Sequence, residues 1–303
     1  MISIIICSRT TAIAETHQVN IQNTIGVDYE LIIINNSANK LSIFEAYNLG
    51  VQKSKGDILC FMHDDILFHT ENWGSKVIAH FDDPQTGAIG IAGTPYIAKM
   101  PGSWWAGDLV NQQLLVRKND ILVATTKVCD GVIAKSKPVV VLDGIWLCIR
   151  KKLFDKLRFD TETYKGYHFY DIDICLQIFN LKYKLYCIFD IDLEHLSLGN
   201  MNKQWIENAI SMNKKWRKML PASVVDLTTA EQLAVEFKNL KELTLILITN
   251  NYTALSAYKF ALKKLMQFGG RIITYKKGQY FFYFLLKYLR SITLKKSNEK
   301  SLR

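Results

Sequence analysis

The chain has 303 residues, of which 49% are hydrophobic and 22% are charged. This composition excludes a disordered chain, and the length allows one large domain or two smaller ones. The six cysteines show no zinc-type spacing and lie mostly in apolar runs, which predicts reduced core residues. The first residues lack a signal-peptide pattern and no apolar run is long enough to cross a membrane, so we expect a cytoplasmic protein.

The formal net charge of +10 is concentrated at the C-terminus. Residues 259–303 contain 12 basic residues and one acid, whereas residues 1–258 carry a net charge of −1. Because the body is nearly neutral, no nucleic-acid partner is expected. Residues 278–290 combine Tyr, Phe and Leu with flanking basic residues, which is typical of a segment that lies on an anionic membrane surface. A C-terminal helix packed on the main domain is the alternative interpretation.

The first third of the chain alternates between two kinds of segment. Short apolar runs occupy residues 2–7, 29–34 and 57–62, and helical spacing occurs at 12–23 and 43–51. Continuous apolar runs separated by helices predict parallel strands that are buried on both faces and covered by helices.

Polar side chains follow each of these three apolar runs directly. Because ligands in such sheets bind outside the carboxyl ends of the strands, we expect these side chains to line one crevice. The residues concerned are Ser8, Arg9, Asn35, Asn36, His63, Asp64 and Asp65.

The remainder of the chain is less regular. Strands are predicted at residues 87–93, 121–133, 139–149 and 185–189, and helices at 171–181 and 205–220. Pro221 ends the last of these helices, and the sequence beyond it is helical and then strongly basic. We therefore divide the chain into residues 1–220 and a C-terminal helical extension, residues 221–303.

Two acidic pairs stand out as candidates for chemistry. Asp64 and Asp65 follow a buried strand, where adjacent carboxylates repel each other unless a cation compensates them. Mg²⁺ and Mn²⁺ take carboxylate oxygens and bridge phosphates. Asp171 and Asp173 open a predicted helix, where helix capping is an alternative role. His195 follows a later strand, and it becomes a candidate metal ligand if the fold places it beside Asp65.

Several motifs resemble those of family 2 glycosyltransferases of the GT-A fold. The main match is the run EAYNLGVQKSKGDILCFMHDD at residues 45–65, which resembles the family's A-x-N-x-G and DxD segments. DIDICL at residues 171–176 resembles its acidic catalytic motif, and residues 195–197 resemble its late metal-binding histidine. Residues 2–8, 31–37 and 144–154 resemble further strands of that fold. The matches span about residues 1–200 in the order of the family.

The resemblance implies an α/β fold of the Rossmann-like nucleotide-diphospho-sugar transferase type. Its mixed, mostly parallel sheet would be flanked by helices, with residues 1–220 as the catalytic domain and a basic helical extension after it. The implied activity is inverting sugar transfer from a nucleotide-diphosphate donor, with a UDP-sugar favoured. The acceptor would be a saccharide or lipid-linked saccharide in surface glycan synthesis, at the inner face of the cell membrane.

The resemblance also implies roles for individual residues. Mn²⁺ or Mg²⁺ would be held by Asp65 and His195, with His63 as a further ligand. Asp171 would be the general base, and Asp173 is the second candidate for that role. Trp104 and Trp105 are expected to form a platform for the acceptor sugar or, alternatively, a hydrophobic plug. The donor would contact Ser8, Arg9, Asn35, Asn36, Asn48 and Asp64.

The sequence departs from the family pattern in two places. His63-Asp64-Asp65 stands where DxD is usual, and Asn35-Asn36 replaces a commoner acidic pair. The altered DxD leaves open the alternative of a degenerate, non-catalytic binding protein. The retained Asp65, Asp171 and His195 argue against this alternative. A nucleotidyltransferase is a further alternative, although no basic, glycine-rich phosphate loop follows the first strand.

Overall fold

The computed structural model describes residues 1–264 apart from 106, 119, 120, 198, 251, 254, 255, 258, 261 and 262. The predicted membrane-surface segment at residues 278–290 lies outside the described residues. All six cysteines are unpaired thiols, and four of them are buried. The helices are α1 (Glu15–Thr24), α2 (Ile43–Lys53), α3 (Trp73–His80), α4 (Tyr170–Asn180), α5 (Lys203–Trp216) and α6 (Thr229–Thr249).

The strands are short, and many lie in the middle of the chain. They are β1 (Ile2–Ser8), β2 (Tyr29–Asn35), β3 (Ile58–Met62), β4 (Ile66–Phe68), β5 (Thr86–Gly90), β6 (Ala92–Thr94), β7 (Tyr96–Ile97), β8 (Asn111–Lys118), β9 (Ile121–Lys127), β10 (Ser136–Val139), β11 (Val141–Leu142), β12 (Trp146–Arg150), β13 (Lys184–Ile188), β14 (Leu193–His195) and β15 (Ala222–Ser223).

The largest sheet in the described part of the chain has seven strands in the order β10–β13–β5–β12–β3–β1–β2. β1 pairs in parallel with β2 and β3, and β13 pairs in parallel with β5. The predicted mixed α/β class is confirmed. Three of the six neighbouring pairs are parallel rather than most of them, because β12 runs antiparallel between β3 and β5 and β10 runs antiparallel to β13.

β1 is buried on both faces, as its continuous run of isoleucines predicts. Ile5 joins one hydrophobic core, whereas Ile4 and Ile6 join the other, because successive side chains of a strand point to opposite faces. α2 covers the first of these cores. A Cβ on its Gly50 would lie 2.3 Å from Ile5 Cγ2, so glycine allows the helix to approach the sheet closely.

A second sheet follows the order β11–β6–β8–β14–β4, and β9 pairs with β8. The strand predicted at residues 121–133 ends earlier, at Lys127. The strand predicted at 139–149 is interrupted at Val140, between β10 and β11, and at residues 143–145, between β11 and β12. β14 pairs antiparallel with β4, with His195 opposite Ile66. This pairing brings two segments that are far apart in sequence to the end of β3.

α6 packs against the same core as the main sheet. Its Leu243, Ile246 and Leu247 are buried in the cluster that contains Ile5. Helix α6, which belongs to the C-terminal extension at residues 221–303, therefore shares a hydrophobic core with residues 1–220. No helix of the described residues combines the length and apolar character that crossing a bilayer requires.

This packing predicts that truncating Leu243 destabilises the whole protein. Leu243→Ala removes a fully buried side chain, so we expect the free energy of unfolding to fall by about 2–5 kcal/mol. Urea denaturation measures this change. Ile210→Ala on α5 is the control, because Ile210 is exposed and its loss should change stability by about 0.5 kcal/mol or less. Equal effects of the two changes would contradict the packing of α6.

Candidate functional site

The carboxyl ends of β1 and β3 lie side by side, where the sequence predicts a crevice. Asp64 Oδ1 accepts a hydrogen bond from Arg9 Nη2 at 3.0 Å, and Asp64 Oδ2 accepts one from the backbone nitrogen of Arg9 at 3.2 Å. Ser8 Oγ lies 3.5 Å from Asp64 Oδ2. Asp64 thus joins the two strand ends, while 73% of the Arg9 side chain remains exposed.

His63, Asp65 and His195 converge at the end of β3. His195 Nε2 lies 3.4 Å from Asp65 Oδ1, and His63 Nδ1 lies 3.8 Å from the same oxygen. The two histidine nitrogens are 3.3 Å apart. One ligand atom from each residue lies within 4.8 Å of the others, so the three side chains form a group that could hold a metal ion.

The environment of Asp65 fits a cation. Its Oδ1 is buried and has no hydrogen-bond partner among the described residues, which is costly for an ionised oxygen. Burial opposes ionisation, but His195, Ser197 and His63 outweigh it and lower the pKa of Asp65 well below its usual range. Burial, followed by the neighbouring His195, lowers the pKa of His63. A carboxylate beside two imidazoles is a typical divalent-metal ligand set.

Asp171 lies at the start of α4, close to Asp143. Its Oδ2 accepts a hydrogen bond from the backbone nitrogen of Gly144 at 3.0 Å, and its Oδ1 accepts one from that of Ile172 at 2.9 Å. Burial, reinforced by the charge of Asp143, raises the pKa of Asp171 to about 7. A carboxylate with a pKa near neutrality can accept a proton during a reaction and release it afterwards.

One cavity of about 350 Å³ connects these groups. The His63 and His195 rings line it together with Asp171 and Asp143. Its wall also includes Trp104 and Trp105. The two candidate histidine ligands and the candidate base therefore face a common space, and Asp65 lies behind the histidine rings as their neighbour.

The two tryptophans are held by different hydrogen bonds. Trp104 is buried, and its Nε1 donates to Asp143 Oδ2 at 3.2 Å. Trp105 is 38% exposed, and its Nε1 donates to Glu242 Oε1 on α6 at 3.0 Å. Ser103 also donates to Glu242. Helix α6 therefore holds the loop that forms this wall of the cavity.

The predicted asparagine contacts differ from one another. Asn36 is buried, and its side-chain amide bonds to Leu41 O at 2.7 Å and to Tyr167 Oη at 2.9 Å. Asn48 bonds both backbone groups of Phe159. The structure thus shows both amides holding loops, and their predicted contact with the donor stays a prediction. Asn35 is exposed at the end of β2.

Asp173 does not reach the cavity. It is 1% exposed, and its carboxylate accepts hydrogen bonds from Tyr164, Gln177 and Trp216 and pairs with Lys215. Asp171 and Asp173 differ because residues two apart on a helix point in different directions. Asp173 therefore joins α4 to α5, and its role as the second candidate base stays a prediction that these contacts do not favour.

Three residues of this region were not expected from the motifs. Asp143 and Gly144 occupy the interruption between β11 and β12, and Tyr170 precedes the candidate base. Tyr170 Oη lies 3.2 Å from His63 Nε2 and donates to Gly144 O at 3.0 Å. The Asp-Gly pair inside an apolar run was the available signal, because such a pair is typical of a break in a strand.

The sequence profile described as the glycosyltransferase-like family matches residues 3–220. The chain belongs to this family. The match covers more than half of the chain and contains β1, β3, α4 and β14, which carry the converging side chains. It confirms the resemblance to glycosyltransferases inferred from the motifs. No curated protein gives a significant match.

Three solved structures are distantly similar to this chain. GalNAc-T7 with UDP, GalNAc and Mn²⁺ is 10% identical, with a TM-score of 0.45 over 66% of this chain and 44% of its own, so this chain spans less than half of that neighbour. The mannosyltransferase PcManGT from Pyrobaculum calidifontis with GDP-Man and Mn²⁺ is 12% identical, with a TM-score of 0.48 over 99% of this chain and 86% of its own. A197 from STIV is 12% identical, with a TM-score of 0.38 over 65% of this chain and 86% of its own.

The buried position of Asp173 predicts a structural effect of its loss. Asp173→Ala leaves Tyr164 and Trp216 without their buried acceptor, whereas Lys215 keeps Asp160 as a partner, so we expect the free energy of unfolding to fall by about 1–3 kcal/mol. Glu162→Ala is the matched control, because Glu162 pairs with Arg158 in an exposed ion pair worth about 0.5 kcal/mol. Chemical denaturation compares the two variants, and an Asp173→Ala protein as stable as the control would contradict the structural role.

Proposed function

We propose that this protein is a metal-dependent, inverting glycosyltransferase that moves a sugar from a nucleotide-diphosphate donor, with a UDP-sugar favoured, to a hydroxyl of a saccharide or lipid-linked saccharide. The observation that carries the proposal is the convergence of Asp65 with His195, whose ring lines the same cavity as Asp171. Membership of the glycosyltransferase-like family supports the same reaction class.

The residues at the end of β3 fit a divalent cation. The ligands would be Asp65, His195 and His63, and the unpartnered Asp65 Oδ1 is the strongest reason for this assignment. When bound, Mn²⁺ or Mg²⁺ supplies positive charge that stabilises the diphosphate leaving group. Arg9 places a further cation beside the same turn, 3.9 Å from Asp65 Oδ2. Its exposed guanidinium is suited to contact a phosphate of the donor.

Asp171 is the proposed general base for the acceptor hydroxyl. As this hydroxyl attacks the anomeric carbon, its proton passes to the Asp171 carboxylate, and the bond to the diphosphate breaks on the opposite face of the sugar. One displacement of this kind inverts the anomeric configuration. Trp105, which is partly exposed, offers an aromatic face on which the acceptor sugar can pack.

We further propose that the protein acts in surface glycan synthesis at the inner face of the cell membrane. The argument is the composition of the 259–303 segment, which combines basic and aromatic residues in a pattern that favours an anionic lipid surface. A lipid-linked acceptor would be presented at such a surface.

Removing Asp65 should abolish both binding of the donor complex and transfer. We expect UDP with Mn²⁺ to raise the melting temperature of the wild-type protein, because a ligand of the folded state stabilises it. Asp65→Ala should show no Mn²⁺-dependent rise. Asp171→Asn should keep the rise but lose transfer by about 10²–10⁴-fold, since it removes only the base.

These two variants separate the alternatives. A panel of UDP-sugars and GDP-mannose, with and without Mn²⁺, is the screen, and donor hydrolysis or transfer is the readout. A wild-type protein that binds UDP with Mn²⁺ but neither hydrolyses nor transfers any donor would support a non-catalytic binding protein. Full transfer by both variants would refute the proposed roles.

The raised pKa of Asp171 predicts a pH dependence. A base works in its deprotonated form, so kcat/KM should rise about tenfold per pH unit below about pH 7 and then level off. In Asp143→Asn, a nearby negative charge is lost and the pKa of Asp171 falls, so the rise should move to lower pH. The same pH profile in both proteins would contradict the coupling between the two carboxylates.

A further inference from the structure

The hydroxyl of Tyr170 lies between a candidate metal ligand and a buried carbonyl. Tyr170 Oη is 3.2 Å from His63 Nε2, and it donates a hydrogen bond to Gly144 O at 3.0 Å. The opposite ring nitrogen, His63 Nδ1, faces His195 Nε2 at 3.3 Å and Asp65 Oδ1 at 3.8 Å. The two nitrogens of one imidazole thus face different partners.

The position of the Tyr170 hydroxyl is rigid. The ring packs edge-on against Phe44 and Tyr47 of α2, with centroid distances of 6.4 and 5.4 Å. Gly144 leaves room for the hydroxyl, because a Cβ there would lie 2.1 Å from Tyr170 Oη. The contact with His63 therefore depends on a fixed ring and on a glycine at residue 144.

The hydrogen bonds of this hydroxyl determine where the protons lie. A carbonyl oxygen can only accept, so the single proton of Tyr170 points to Gly144 O. In the described part of the chain, this is the hydrogen bond that satisfies the buried Gly144 carbonyl, and its loss would be costly. Tyr170 Oη can therefore only accept from His63, which requires a proton on Nε2.

A neutral imidazole carries one ring proton, so a proton on Nε2 leaves Nδ1 with a free lone pair. That lone pair faces Asp65 and His195, where a cation would bind. A histidine ligand needs an unprotonated nitrogen, and its other nitrogen is usually held by a hydrogen-bond partner.

We propose that Tyr170 is a positioning residue for the metal site, which fixes His63 in the tautomer that presents Nδ1 to a divalent cation. This inference rests on the proposed metal-dependent function. It assigns to Tyr170 a role separate from that of its neighbour Asp171. Gly144 serves both residues, because its carbonyl orients Tyr170 while its N–H bonds Asp171.

The first test is Mn²⁺ affinity of Tyr170→Phe, measured by isothermal titration calorimetry with Mn²⁺ alone. Loss of a hydrogen-bond partner of a metal-bound histidine typically weakens metal affinity by about 10–100-fold, and we expect a loss in this range. Tyr164→Phe is the matched control. It removes another buried hydroxyl, which bonds Asp173 rather than a candidate ligand, and it should leave Mn²⁺ affinity unchanged.

The outcomes distinguish this inference from the proposed function. Weaker Mn²⁺ binding by Tyr170→Phe, with wild-type affinity in Tyr164→Phe, supports the inference. Equal affinity in wild type and Tyr170→Phe overturns it while leaving the metal site intact. If the wild-type protein, like Asp65→Ala, does not bind Mn²⁺, both this inference and the proposed metal-dependent function are overturned.

A second measurement remains informative if Tyr170→Phe does not fold. Long-range ¹H–¹⁵N correlation spectra of ¹⁵N-histidine-labelled wild-type protein report the tautomer of each ring, and His63→Gln assigns the His63 signals. We expect His63 to carry its proton on Nε2 in the metal-free protein. A proton on Nδ1 instead would overturn the proposal.

Discussion

The antiparallel pairing of β4 with β14 is the constraint on which the candidate site depends. It places His195 opposite Ile66, and the backbone nitrogen of Leu196 donates to Asp65 O at 3.0 Å. Backbone hydrogen bonds, rather than attraction between side chains, therefore bring residues 65 and 195 together. The sheet thus supports the close approach of a buried carboxylate oxygen and two imidazoles.

The groups proposed for metal binding and for proton acceptance are both connected to the segment between β11 and β12. On one side, the Gly144 carbonyl is connected through Tyr170 to His63 and so to the candidate metal ligands. On the other side, the Gly144 N–H is connected to Asp171. Donor activation and proton acceptance therefore share one short segment of backbone. A displacement of this segment would affect both, which explains why the tightly packed glycine at residue 144 matters.

Much of this arrangement could be predicted from sequence, because the relevant signals are local. Apolar runs followed by polar residues indicated β1, β2 and β3 with their shared crevice, and the motifs indicated Asp65, His195 and Asp171. The signals failed where a side chain's direction depends on tertiary packing. Asn36, Asn48 and Asp173 have residue types suited to binding, but in the fold their side chains bond to other segments of the chain. Asp143 and Tyr170 acquire importance only through partners distant in the chain.

The contact between Glu242 and Trp105 has a consequence for how the protein can be shortened. Glu242 lies on α6, beyond the part of the chain that matches the family profile, yet it holds the loop that borders the cavity. Trimming the polypeptide at the end of the recognised family region would remove that support and uncover the Ile5 core. A minimal version for crystallisation should therefore retain α6, even though the profile match ends at residue 220.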